Sequence, residues 1–190
     1  MIKPASIEVV TGPAIEPVNL SDVRAHLRID DTDSDSILYA LVQAARDDVE
    51  SRTHRAMIER TLDVKYDCFG NTMELPQGPL QSVTSVKYLD TAGDEQTLDS
   101  SIYRVLTKGD APGTVELAYS QSWPSLYGVS SPVTIRIVAG FGTTRASVPM
   151  PLRQAMLLLI EKLYDQDTKT SDQLDEAVKS LIAPWVVHYF

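Results

Sequence analysis

Asp31, Asp33 and Asp35 stand at alternate positions in the run RIDDTDSDSI (28–37), which is how a calcium loop begins. An EF-hand loop also needs a glycine at its sixth position and a bidentate glutamate at its twelfth. Counted from Asp31, those positions hold Ser36 and Val42, so neither the turn nor the closing ligand is supplied. The run reads instead as a helix start, with Asp33, Ser34 and Asp35 as candidate caps facing the positive end of the helix dipole. Other candidates for chemistry are sparse. His26, His54 and His188 have no partner at metal-ligand spacing, and the lone Cys68 belongs to no CxxC and reads as a partly buried small residue. Gly140-Phe141-Gly142-Thr143-Thr144-Arg145 opens like a phosphate loop, but Arg145 replaces the third glycine and no GKS or GKT follows; a turn leaving a strand is expected. No serine sits in a GxSxG elbow. Asp47, Asp48 and Glu50 read as the solvated side of a helix. Trp123 could stack on a sugar or base, though such a residue more often ties a loop to its own core. No catalytic, cofactor-binding or metal site is assigned.

The elements that would position these residues fall into three zones. Asn19 caps a short helix carrying Leu20, Val23 and Leu27, with Asp22 at the capping-box position. Ile37, Leu38, Leu41, Val42, Ala45 and Val49 then recur at helical spacing to about Thr53 or His54. From about Met57 to Ala146 the period becomes two: Leu62, Val64 and Tyr66; Val86 and Tyr88; Tyr103 and Val105; Val115 and Leu117; Val133, Ile135 and Ile137. Turn chemistry at 90–94 and 109–113 implies hairpins, hence a mainly antiparallel sheet or small barrel. Pro149 and Pro151 suit the first turn of a third helix, apolar nearly all round through Leu163. After a polar link at 165–171, a shorter helix carries Leu174, Val178 and Leu181 and stops at Pro184, leaving a tail Trp185–Phe190 rich in aromatics.

The expected fold is α+β: a helical domain built from both chain ends with an antiparallel β-rich domain inserted. The boundaries read as 1–56 for the N-terminal segment and helices, 57–147 for the insertion, 148–183 for the C-terminal helices and 184–190 for the tail. With 190 residues, 43% of them hydrophobic, the chain can bury a core. A net charge of −9 argues against an intrinsic grip on nucleic acid, which comes from Lys and Arg neutralising phosphates. One cysteine fits a reducing compartment. The N-terminal run has no apolar signal core and nothing approaches a membrane span, so neither secretion nor membrane insertion is expected.

Several ordered blocks resemble the phage head-tail connector (adaptor, or head completion) family, whose relatives include the adaptors of gene transfer agents. They are Glu16-Pro17-Val18-Asn19-Leu20, Ala25 to Asp30, Leu41 to Arg46 with Glu50 and Thr53, Leu75-Pro76, Pro79 to Asp90, Ser122-Trp123-Pro124, Val138 to Gly142, Val148-Pro149, Pro151 to Ala155, and Leu181 to Pro184. Together they reach from about residue 16 to 185. His54 departs from the pattern, which usually has glycine after the threonine. The resemblance implies a non-enzymatic virion structural protein, made in the bacterial host cytoplasm. It would form a ring of about twelve subunits between portal protein and tail-side neck proteins, passing DNA without specific binding. A ring needs two different complementary patches on each subunit. The candidate interface residues are Leu152, Met156, Leu159 and Leu163, with Trp185, Tyr189 and Phe190 from the tail. Two rivals are another kind of tail or neck protein, and a carbohydrate-binding or hydrolytic module gathering Trp123, Tyr127 and Asp110 or Glu116 in one cleft.

Overall fold

A computed structural model describes residues 2–109, 111–165 and 168–187. The chain divides into a β unit, residues 1–13 with 59–141, and a helical unit, residues 14–58 with 142–190.

In the β unit, strands β1 (Ser6–Thr11), β2 (Arg60–Tyr66), β4 (Leu80–Leu89), β5 (Glu95–Thr97) and β8 (Val133–Ala139) form one antiparallel sheet in the order β1-β2-β8-β4-β5. A second antiparallel sheet runs β3 (Thr72–Glu74), β7 (Ala111–Leu117), β6 (Tyr103–Lys108). The period-two positions supply its core: Leu62, Val64, Tyr66, Val86, Val115, Val133, Ile135 and Ile137 are all buried. Burying one apolar face of a strand is what that alternation encodes, at roughly 25 cal/mol per Å² removed from water. Tyr66 spends its hydroxyl on the Glu74 carbonyl at 2.6 Å, and burial pushes its phenol well above the ordinary range. On the other face of the larger sheet, Asp63 and Arg136 sit opposite each other and pair through two 2.7 Å hydrogen bonds. Those bonds hold the Asp63 carboxyl below its usual range.

Residues 2–13 were expected with the helices, but they join the β unit, because Ser6–Thr11 adds an edge strand to β2. The 109–113 connection is shorter than expected, since β7 begins at Ala111 and takes in Pro112 and Gly113. Proline is tolerated at a strand's start beside an irregular ladder. A Cβ at Gly113 would run into the Leu80 side chain and lie 3.1 Å from the Leu106 carbonyl oxygen, so glycine fits there without displacing either.

In the helical unit, α1 (Leu20–Leu27) is capped by Asn19, whose side chain accepts the Asp22 N–H at 2.7 Å. Helix α2 (Asp35–Thr53) buries Leu38, Val42, Ala45 and Val49 of the expected stripe, leaves Leu41 half-buried and Ile37 exposed, and ends on His54 at φ 55°. Helix α3 (Met150–Tyr164) packs against α1, α2 and α4 (Thr168–Ile182). Three neighbouring helices explain why α3 is apolar over so much of its circumference. The fourth helix starts inside the stretch read as a polar link, and at 15 residues it equals α3 in length.

Candidate functional site

The acidic run is spent on structure. Both carboxylate oxygens of Asp35 accept from one Arg24 Nη, at 2.6 and 2.8 Å, which ties α2 to α1. Asp31 accepts the Asp33 N–H at 3.1 Å in a local turn. The expected side-chain cap is not made: Ser34 occupies the cap position without a side-chain bond, and Asp35 is turned to Arg24. His26 pairs with Glu161 at 2.8 Å, linking α1 to α3. On α2, Asp47 pairs with Arg46 and Asp48 with Arg52, while Glu50 reaches past the helix end to accept the Met57 N–H at 2.8 Å. Among the described residues, no group of three His, Cys, Asp or Glu side chains could hold a metal ion.

The other sequence candidates are also held by their own surroundings. Trp123 stacks on Phe69 at 4.5 Å, and its indole N–H donates to the Gly70 carbonyl at 3.1 Å. Tyr127 lies beside Gly93 of the β4–β5 turn, and Glu116 faces Thr72 and Arg104, so each has separate neighbours. Asp110 lies outside the described residues. Gly140 and Gly142, at φ 134° and 146°, carry the turn out of β8. A Cβ at Gly142 would meet the Ser147 side chain at 2.8 Å, which leaves no open phosphate cradle at that point. Cys68 is exposed rather than partly buried, because β2 ends at Tyr66 and the inward alternation stops with it.

Of the residues expected to contact neighbours, Leu152, Met156 and Leu159 are buried within the chain itself, at 4% exposure or less. Their apolar character is explained by packing in the subunit, and they have no surface to present in this arrangement. Leu163 is different, at 45% exposed near the end of α3. Trp185 is half-buried: its carbonyl accepts from Arg55 Nε at 2.5 Å, and its ring lies 6.0 Å from the same guanidinium. Val187 follows by donating its N–H to the Thr53 carbonyl at 3.0 Å. The tail is thus docked on the end of α2 as far as Val187, while His188, Tyr189 and Phe190 lie outside the described residues.

Sequence reasoning missed the exposed apolar positions. Ile7, Val9 and Val10 on β1, Ile37 and Tyr39 on α2, and Tyr119, which is 93% exposed, are all accessible to solvent. Ile37 belongs to the expected helical stripe, but at 59% exposed it stands about one residue's turn away from the buried line of Leu38, Val42, Ala45 and Val49. No helix among the described residues is long and apolar enough to cross a membrane.

No curated protein matches the sequence. Three solved chains share the architecture, each with 97% of both chains covered. One comes from the neck of an empty GTA particle computed with C6 symmetry, at 24% identity and a TM-score of 0.82. Another comes from the virion of a native gene transfer agent (GTA) particle, at 25% and 0.80. A third comes from the neck of a native GTA particle computed with C12 symmetry, at 24% and 0.77. The helices and strands of residues 17–115, just over half of the sequence, match the family described as phage gp6-like head-tail connector protein, and the chain belongs to that family of structural connectors.

Proposed function

We propose that copies of this chain form a ring at the junction of capsid and tail, seated on the portal protein, with tail-side neck proteins below and DNA passing through unbound. The protein then acts as a virion component, made in the cytoplasm of a bacterial host. The observation that carries this reading is the end-to-end structural likeness to chains from particle necks computed with C6 and C12 symmetry. The acidic balance suits it, because a conduit of net charge −9 per subunit offers phosphates little to hold. For the portal contact we assign the exposed Leu163 together with the aromatic Tyr189 and Phe190.

Cryo-electron microscopy of particles carrying a tagged copy tests the assignment. A ring of density for this chain directly against the portal is expected. Its absence from particles would overturn the reading, and a position farther down the tail would replace it with another neck or tail structural role.

A further inference from the structure

We propose that neighbouring copies in this ring join by strand addition, with β1 of one copy pairing with β6 of the next; the inference rests on the ring reading above. β1 is the edge of the five-stranded sheet, and all six of its residues are exposed. Its register sets Ile7 opposite Val64 and Val9 opposite Leu62, both fully buried. Directly opposed residues share a face. Ile7 and Val9 therefore stand on the core side of the sheet, yet they are 39% and 59% exposed. β6, at the edge of the other sheet, repeats this: Val105 lies opposite buried Val115 and is 37% exposed.

The remaining edges are protected. Ile2 covers β3, donating to the Thr72 carbonyl at 2.9 Å and accepting the Glu74 N–H at 3.1 Å. β5 is three residues long and begins with Glu95. Natural sheets usually blunt a long edge with proline, lysine or a bulge. Within β1 there is no proline or lysine, and the one irregularity falls between Val9 and Thr11, leaving Ser6–Val9 regular; on β6 the lysine and the irregularity fall at its end, between Leu106 and Lys108, leaving Tyr103–Leu106 regular.

A ring contact is heterologous, so it needs two different edges on different sides of the subunit. Because Ile2 lines β3, the N-terminal segment flanks the edge of the three-stranded sheet opposite β6. The charges complement as well. Glu8 on β1 is 58% exposed although it pairs with Lys65 at 2.7 Å, which leaves its second carboxylate oxygen to a neighbour, and Arg104 on β6 is 61% exposed with its own Glu116 no nearer than 3.7 Å. Matched charge selects the partner edge between subunits that otherwise repel, while main-chain hydrogen bonds supply the affinity.

Two blocked proteins test the pairing on portal-bearing capsids, with rings counted by imaging: Ile7→Lys with Val9→Lys, and Val105→Lys with Arg104→Glu. All four side chains are exposed, and unchanged melting verifies the fold. Each blocked protein alone should lose rings at least tenfold. Mixed together, they retain one competent junction and should give pairs without rings. Independently, single cysteines at 6–9 and 103–106 in a Cys68→Ser background should cross-link between copies in assembled rings. Rings at the wild-type level from both blocked proteins, or no cross-link at any pairing, overturn the strand addition and leave the ring reading intact. Loss in only one of the two blocked proteins overturns the choice of partner edge. Failure of the wild type to form rings on capsids overturns both.

Discussion

His54 closes α2 in the left-handed region, φ 55°, at the position where the connector pattern usually has glycine. An L-residue there costs about 1–2 kcal/mol, and part of that is returned because glycine has more freedom in the unfolded chain, about 0.4–1 kcal/mol. Measured against His54→Ala, which also lacks the imidazole, His54→Gly should therefore be more stable by roughly 0.5 kcal/mol and melt about 1–2 °C higher for a chain of this size, as calorimetry would show. The Asp63–Arg136 pair makes a prediction of opposite direction. Since the folded Asp63 carboxyl titrates below the unfolded one, its contribution is present above the unfolded value near 3.9 and is lost as pH falls through the folded value. Asp63→Asn should lower stability at neutral pH and flatten its decline below about pH 4, measured as urea midpoints against pH. The acidic run at 31–35 should take up no calcium, because Asp35 already belongs to Arg24 and the loop lacks its glutamate. Saturable micromolar binding in calorimetry, abolished by Asp33→Ala, would contradict this.

The docked tail belongs to the scale of elements. Truncation after Ala183 removes the carbonyl that Arg55 holds and the N–H that Thr53 accepts, while Arg55 is only 8% exposed. Losing these two hydrogen bonds costs about 1–3 kcal/mol. Tm should fall by about 2–12 °C. A truncated chain that melts as the full one does would show that these contacts matter only in the assembly. The same elements show which signals the sequence carries. Helix α2 and strands β2 and β8 are legible because each buries one continuous face, so selection against water writes the period into the residues. β1 is not legible: Ile7 and Val9 alternate with Ser6 and Glu8 for only four residues before Val10 breaks the period, and with every residue exposed no burial enforces it. β3 and β5, three residues each, are too short to show a period. For α3 the composition was plain but its cause was not, since burial by three helices and burial by a neighbouring copy leave the same apolar sequence. Interface residues are hard to read for the same reason: what distinguishes Leu163 from Leu159 is which side of the helix its own fold covers.

At the scale of the whole molecule, 26 acidic against 17 basic residues leave counterion release little to work with. Duplex DNA should bind no more tightly than about 1 μM at physiological salt; a tighter constant with a steep salt slope in fluorescence anisotropy would contradict it. The division into units has a consequence for synthesis. The helical unit is assembled from residues 14–58 and 142–190, with most of the β unit translated in between. Val23, Leu38, Val42 and Val49 therefore leave the ribosome long before α3 exists to cover them. At about 5–20 residues per second the interval is on the order of 5–20 s, during which an amphipathic helix pair lacks its cover. A nascent chain stalled near residue 140 should be the species that chaperones hold and proteases cut in the 20–58 region.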